Sequence, residues 1–244
     1  MWLLSNKISV IDSGLLEGFC DYHCHLLPGV DDGVKEMDET LHVLQMWETI
    51  GMKEAWLTPH IMEDIPNETN SLKNDFEKVK AQYTGALRLY LAAENMMDNL
   101  FLQRLEQHDL LLMGKGRRHL LVETSYYNPP MDMQKTIESI KENSYIPVLA
   151  HPERYQYMDM RHYKEWKDKG VLMQLNVPSL VGAYGPEVQW KAERLLDKGM
   201  YDYCGTDTHS MRFVEYFLSS KISKKTVKKV QQIVDKNTLY SIEI

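Results

Sequence analysis

From residue 19 onward, one pattern recurs along this chain: a short apolar run, a polar tip and then an amphipathic helix. After the opening run, further runs begin near residues 54, 87, 119, 146, 171 and 201. Val43, Met46, Trp47 and Ile50 have the spacing of a helix with one buried face. Nearly continuous apolar strands joined by helices are typical of a parallel sheet covered by helices. About seven such units predict an α/β fold, with a closed β/α barrel favoured over an open doubly wound sheet.

The length of 244 residues suits one sizeable domain. No linker-like change of composition divides the sequence. We therefore predict a single domain over residues 19–244 and a leader over residues 1–18 that packs on it. Residues 95–118 are polar and are predicted to form a less regular insertion.

Composition limits the classes of partner. The formal net charge of −7 argues against a nucleic-acid partner held through phosphate contacts. Three cysteines, Cys20, Cys24 and Cys204, without a Cys-x-x-Cys pair predict reduced thiols and a cytoplasmic protein. No apolar stretch reaches membrane-spanning length, so we expect no stable membrane insertion. The lysines of residues 221–229 are predicted to form a solvated helix face. The oligomeric state stays open, with a homo-oligomer among the alternatives.

Acidic and imidazole side chains collect where the predicted strands end. They are His23, His25, His60, Glu94, Glu123, His151, Asp207 and His209. Because the carboxyl ends of parallel strands converge on one face, we expect these side chains to form one site. Mixed imidazole and carboxylate ligands favour Mn, Fe, Zn or Mg, and a set this large predicts two or three divalent ions. The side chain of Cys24 should point to the opposite face, away from the ions.

Two arginines are candidates for binding substrate. Arg154 follows His151 by three residues, and a guanidinium can bind phosphate oxygens with two parallel hydrogen bonds. The alternative for Arg154 is a salt bridge with Glu153 or another acid at the rim. Arg212, shortly after His209, is a weaker candidate. The sequence lacks the Cys-to-Arg spacing of cysteine-based phosphatases, a dinucleotide-binding loop and a Gly-Lys-Ser/Thr phosphate loop.

The ordered motifs resemble those of the PHP (polymerase and histidinol phosphatase) superfamily. They are Asp-x-His-x-His, Pro-Gly-x-Asp-Asp-Gly, Thr-Pro-His, Ala-Glu, Leu-Val-Glu, Ala-His-Pro-Glu-Arg and Asp-x-His, over about residues 19–215. Within that superfamily, the chain is similar to bacterial manganese-dependent protein-tyrosine phosphatases of the CpsB/YwqE type. The resemblance implies a distorted (β/α)7 TIM-like barrel with two to three divalent metal ions, with manganese as the expected metal.

The resemblance also implies a ligand set for each ion. The first ion would be held by His23, His25, Glu94 and Asp207, the second by Glu94, Glu123 and His151, and the third by Asp32, His60 and His209. Asp32 is chosen over Asp31 only from the alignment of the Asp-Asp-Gly. The implied substrate is phosphotyrosine on the tail of a tyrosine autokinase that controls capsule or exopolysaccharide synthesis.

The resulting hypothesis is hydrolysis of phosphotyrosine without a phosphoenzyme, by a hydroxide that bridges the ions. Arg154, Asp207 and His209 are the predicted catalytic residues, and Arg154 and Arg212 the predicted substrate-binding residues. The nearest alternative is a small-molecule phosphomonoesterase such as histidinol-phosphate phosphatase. Two others are a non-catalytic metal-bound partner of a membrane kinase and an amidohydrolase.

Overall fold

The computed structural model describes residues 6–114, 116 and 118–241, with side chains through residue 237. Its strands are β1 (Lys7–Ser9), β2 (Cys20–Cys24), β3 (Glu54–Leu57), β4 (His60–Ile61), β5 (Arg88–Leu91), β6 (Glu94–Met96), β7 (His119–Glu123), β8 (Ile146–Ala150), β9 (Leu172–Asn176), β10 (Tyr203–Gly205) and β11 (Lys221–Ser223). Its α-helices are α1 (Met37–Thr49), α2 (Thr69–Gln82), α3 (Asn99–Glu106), α4 (Met133–Glu142), α5 (Met160–Asp168), α6 (Pro186–Asp197), α7 (Met211–Ser219) and α8 (Lys224–Ser241).

Glycines follow the ends of several helices. Gly51, Gly170 and Gly199 follow α1, α5 and α6 with φ angles of 92°, 81° and 64°, a conformation that glycine adopts without steric cost. Gly85 does not end a helix in this way, because α2 already ends at Gln82. The backbone of the next residue, Tyr83, is extended, and its hydroxyl donates to Glu48 of α1 at 2.7 Å.

The predicted parallel α/β architecture is confirmed. One parallel sheet has the order β10-β9-β8-β7-β6-β4, and a second has the order β2-β3-β5. Backbone hydrogen bonds between the end of β2 and the residues after β10 link one sheet to the other. Asp207 N donates to His23 O at 2.7 Å, and His25 N donates to Thr208 O at 2.9 Å. The strands therefore curl around a common interior, but a closed (β/α)7 barrel with one continuous ladder is not confirmed.

Two of the predicted strands are broken, and the breaks separate the sheets. The run that begins at residue 54 divides into β3 and β4 at Thr58 and Pro59, where proline has no N–H to donate to a ladder. The run that begins at residue 87 divides into β5 and β6 at Ala92 and Ala93. The strand predicted from residue 201 is shorter in the structure, and the insertion 95–118 contains the unpredicted helix α3.

Strand side chains fill the interior of the curl. Tyr22 packs against Tyr203, with ring centroids 4.7 Å apart, and against Trp56 at 6.2 Å. Leu121 and Val148 belong to the same buried cluster. The larger cluster joins residues of the helices to the outer face of the strands. The interior is a packed core, so the open ends of the strands are where a site can form.

The first strand, β1, pairs with β11, which lies just before the last helix. Residues 7–9 pair antiparallel with residues 221–223, and Leu15 and Leu16 are buried. The limit between leader and domain at residue 18 stays a prediction, and residues 1–5 lie outside the described residues. In the lysine-rich segment, Lys229 forms an ion pair with Asp197. Among the described residues, no helix combines the length and apolar character needed to cross a bilayer.

Leu44 tests the packing of α1. Its side chain is fully buried, so Leu44→Ala should lower the free energy of unfolding by about 2–5 kcal/mol, measured by urea denaturation. Leu102→Ala is the matched control, because Leu102 is 40% exposed and should lose less than about 1 kcal/mol. Equal losses in the two variants would contradict the burial of this face of α1.

Candidate metal centre

The structure brings all the predicted metal ligands into one connected set of contacts. His23 and His25 come from β2 and the residue just after it, and His60 and Glu94 lie in β4 and β6. Glu123 ends β7. The remaining ligands follow β8, β10 and β2 in the chain; they are His151, Asp207, His209 and Asp32. Whether each of them binds an ion stays a prediction.

The first predicted ligand set forms a compact and fully buried cluster. His23 Nε2 lies 3.0 Å from Glu94 Oε2 and 3.5 Å from Asp207 Oδ1. His25 Nε2 lies 3.3 Å and 3.4 Å from the same two oxygens. These four side chains can offer two nitrogens and two oxygens to one cation.

His60, predicted for the third set alone, contacts residues of both the second and the third sets. His60 Nδ1 lies 3.2 Å from Glu94 Oε2 and 3.0 Å from Glu123 Oε1, while His151 Nε2 lies 2.8 Å from Glu94 Oε1. On the other side, Asp32 Oδ1 lies 3.5 Å from His60 Nε2 and 3.4 Å from the Nε2 of His209. His60 therefore stands between two groups, to only one of which the resemblance assigned it.

Buried lone pairs show that this set fits cations. Glu94 Oε2, Glu123 Oε1 and His60 Nδ1 are buried and make no hydrogen bond of acceptable angle, although His60 Nδ1 lies 3.2 Å and 3.0 Å from the two oxygens. The Nε2 atoms of His23 and His25 lie only 3.0 Å apart. Because unpaired buried acceptors are costly, convergent oxygens and nitrogens of this kind suit divalent ions. The thiol of Cys24 contacts the carbonyl of Trp56, so it lies away from these clusters, as predicted.

Attraction between the carboxylates and the imidazoles sets the direction of the pKa shifts in the cluster. Burial alone would raise the pKa of Glu94 and Asp207, but the imidazole of His23 and its neighbours holds both pKa values well below the usual range. Burial alone would lower the pKa of His23, and the carboxylates of Glu94 and Asp207 instead raise it to about 9. Without a cation, the site therefore keeps a proton on His23 at neutral pH.

Asp31 orients the imidazole of His25 and anchors the backbone of His60, a role that sequence analysis missed. His25 Nδ1 donates to Asp31 Oδ2 at 2.8 Å, and the backbone N–H groups of His60 and Gly33 donate to Asp31 at 3.0 Å and 2.9 Å. The neighbouring Asp32 has a side chain that is 67% exposed and faces His60. Asp31 therefore supports a candidate ligand, His25, whereas Asp32 is itself a candidate ligand.

β9 supplies a second support that sequence analysis missed. The ring of His23 donates through Nδ1 to Gln174 Oε1 at 3.0 Å, and the backbone N–H of His151 donates to the same oxygen at 3.3 Å. A Cβ added to Gly205 would lie 2.5 Å from His23 Cβ, so glycine there lets the strand approach the ligand closely. The signal was a polar glutamine inside an otherwise apolar run.

Two of the predicted ligands have unusual backbone geometry. His151 and Asp207 have φ angles of 31° and 52°, in the left-handed region that residues other than glycine rarely adopt. Such conformations persist only where the surroundings impose them, and they concentrate at functional sites. Here they turn the chain sharply just beyond β8 and β10, where these side chains contact the cluster.

Arg154 lies at the edge of the cluster and Arg212 does not. Arg154 Nη1 donates to Asp207 Oδ2 at 2.7 Å, so its salt-bridge partner is Asp207 and not Glu153. Glu153 is buried and accepts from the hydroxyl groups of Ser179 and Tyr201, at 2.9 Å each. Arg212 is exposed at the start of α7 and makes no ion pair within the described part of the chain.

Comparison with known proteins places this arrangement in a family. The family model for capsular polysaccharide synthesis, CpsB/CapC, matches residues 19–240. The chain belongs to the CpsB/CapC family. It is 24% identical to CapC of Staphylococcus aureus over 220 residues, covering 85% of this chain and 84% of CapC. It is 23% identical to the tyrosine-protein phosphatase YwqE of Bacillus subtilis over 201 residues, covering 79% and 78% of the two chains.

Solved structures show the same fold. This family member superimposes with a TM-score of 0.73 and 21% identity on a structure from work on YwqE of Bacillus subtilis and CpsB of Streptococcus pneumoniae, described as unique metal-dependent tyrosine phosphatases. The match covers 87% of this chain and 86% of the other. The lactonase Lmo2620 of Listeria monocytogenes matches with a TM-score of 0.59, 11% identity and coverage of 95% and 97%.

Asp31→Asn tests the support behind His25. The amide is a weaker acceptor than the carboxylate, so the affinity for manganese should fall by about 10- to 100-fold, measured by competition with a chelator. Asp64→Asn, at an exposed position, is the matched control and should bind manganese like the unchanged protein. An unchanged affinity in Asp31→Asn would contradict the orienting role.

The raised pKa of His23 predicts a pH dependence of metal binding. A cation needs the neutral imidazole, so below pH 9 its binding must release the proton that His23 holds in the metal-free protein. Affinity should therefore rise with pH, by up to about tenfold per unit for that proton, until it levels off near pH 9. Calorimetry in buffers of different ionisation enthalpy would count the protons released. Binding that releases none at pH 7 would contradict the prediction.

Proposed function

We propose that this CpsB/CapC family member is a metal-dependent phosphatase that acts on phosphotyrosine in proteins. The observation that carries the proposal is the connected cluster of imidazoles and carboxylates with Arg154 bonded to one of its acids, Asp207, at 2.7 Å. Relatives over most of the chain are named tyrosine-protein phosphatases, which supports the same reaction.

Asp207 contacts both the imidazole cluster and Arg154. Its Oδ1 faces the imidazoles of His23, His25 and His209 at 3.4 Å to 3.5 Å. Its Oδ2 accepts from Arg154. A phosphoryl group beside Oδ1 would therefore lie within reach of a guanidinium, the group best shaped to bind two of its oxygens.

The chemistry needs a Lewis acid and a good leaving group. Divalent ions held by the clusters would lower the pKa of water and neutralise phosphoryl charge. The phenol of tyrosine has a pKa of about 10, so it leaves with less protonic help than an alkyl alcohol. Arg154 binds and orients the phosphoryl oxygens, and Asp207 holds Arg154 in place before they bind. His209 lies at the rim, with its side chain 30% exposed, where it can reach both Asp32 and a bound ester.

Several finer points are proposals on the same basis. We propose manganese as the native metal, three ions in the site, a tyrosine autokinase tail as substrate and a cytoplasmic location. We also propose that the two sheets are parts of one distorted (β/α)7 barrel of the PHP type, formed by residues 19–244 with the leader packed on it. The histidinol-phosphate alternative is not favoured, because the relatives named by activity are tyrosine-protein phosphatases.

Metal removal tests the reaction directly. The protein should release phosphate from a phosphotyrosine peptide, lose that activity after treatment with a chelator, and regain it when Mn, Fe, Zn or Mg is added back. His23→Ala should bind less metal and lose turnover, while His42→Ala, at an exposed position on α1, should do neither. Folded protein that contains metal but releases no phosphate would refute the proposed function.

Arg154→Ala tests phosphate binding. With metal supplied at saturating concentration, loss of charge-assisted hydrogen bonds worth about 1.5–3 kcal/mol should raise KM for the phosphotyrosine peptide roughly 10- to 100-fold. Arg161→Ala is the matched control, since the Arg161 side chain is 88% exposed on α5. Equal KM values in Arg154→Ala and the unchanged protein would rule out the clamp.

A further inference from the structure

The guanidinium of Arg154 lies over two tyrosine rings. Its Cζ is 4.4 Å from the ring centroid of Tyr126 and 4.5 Å from that of Tyr184, well within the range of cation–π attraction. Tyr126 belongs to the loop after β7, and Tyr184 precedes α6. We call these two residues the tyrosine pair. No sequence motif singled them out.

The tyrosine pair stabilises the positive charge of Arg154, which is largely buried. The side chain of Arg154 is only 18% exposed, and a buried charge is costly unless other groups stabilise it. Asp207 supplies one such group. The negative faces of the two rings supply another, which does not depend on where the N–H groups of the guanidinium point.

Asp207 also has other donors. Asn176 Nδ2 donates to Asp207 Oδ2 at 2.9 Å, and the Tyr184 hydroxyl lies 3.5 Å from the same oxygen. Asn176 Nδ2 donates as well to the Tyr184 hydroxyl at 3.1 Å. If Arg154 turned its N–H groups to another anion, Asp207 would therefore keep hydrogen-bond donors.

From these contacts we infer that Tyr126 and Tyr184 are positioning residues for phosphate binding. They hold the Arg154 guanidinium beside the metal cluster while its N–H groups exchange Asp207 Oδ2 for a phosphoryl oxygen. This inference rests on the proposed function, because it takes the ligand to be a phosphate. The rings act on phosphate through Arg154, and neither is a catalytic residue. The ring of Tyr126 also lies 5.9 Å from that of His151, a predicted metal ligand, so its variants need a measurement of bound manganese.

Tyr126 gives the cleaner test of the pair. Its hydroxyl makes no hydrogen bond with any described residue, so Tyr126→Phe keeps the ring and Tyr126→Leu removes it. Tyr184→Phe would also disturb Asn176. Tyr127→Leu is the matched control, because Tyr127 is the next residue, is 66% exposed and lies outside the contacts of Arg154.

The experiment is calorimetric binding of inorganic phosphate to the manganese-loaded protein. Tyr126→Leu should weaken binding about three- to tenfold, the size of one cation–π contact, while Tyr126→Phe and Tyr127→Leu should bind like the unchanged protein. In the Arg154→Ala background, Tyr126→Leu should cause no further loss. Bound manganese and the melting temperature are measured for each variant, and Tyr126→Leu should match the unchanged protein in both.

Three results would overturn the inference. One is an equal loss from Tyr126→Leu with and without Arg154. Another is weaker binding of p-nitrophenyl phosphate but not of inorganic phosphate, because the ring would then contact the aromatic part of the substrate. The third is a fall in manganese content that accounts for the loss. Protein that binds phosphate but hydrolyses no phosphotyrosine would refute the proposed function and leave the coupling between Tyr126 and Arg154 measurable.

Discussion

The contacts of Glu94 are the interaction on which the site depends. One oxygen of this buried carboxylate lies 3.0 Å, 3.3 Å and 3.2 Å from nitrogens of His23, His25 and His60, and the other lies 2.8 Å from His151. These polar groups are buried, and buried polar and charged groups are stable together only when opposite charges compensate one another. A cation meets that need, and protonation of the imidazoles meets it in part when no cation is bound.

Breaks in two of the predicted strands place Glu94 at this position. His60 and Glu94 are direct partners in the register of β4 and β6, beyond the breaks in the two chain runs. At Pro59 the missing N–H interrupts the first ladder, and the chain then pairs in the second sheet. Without these breaks, the ends of the two runs would stay in the sheet that contains β2. The broken strands are therefore part of how the site is built.

Strand-end position made the convergence of the candidate ligands predictable from sequence, because it follows from the parallel topology alone. The supporting residues depend on tertiary contacts instead. Asp31 and Gln174 act through imidazoles that come from other points of the chain, and Tyr126 and Tyr184 through Arg154. Some signals were present. Pro59 inside an apparent strand indicated a break, and Gln174 inside an apolar run indicated a buried hydrogen bond.

Under the proposed function, the two oxygens of Asp207 would make metal binding and phosphate binding interdependent. Charge drawn toward Oδ1, on the side of the imidazoles, is lost from Oδ2, where Arg154 is bound. Arg154 is then held less tightly by Asp207, while the rings of Tyr126 and Tyr184 keep it in place. By linkage, if a cation at the imidazoles raised the affinity for phosphate at Arg154, bound phosphate would raise the affinity for the cation by the same factor. The imidazole cluster and the proposed phosphate site would thus be coupled through one carboxylate, at a residue with a left-handed backbone.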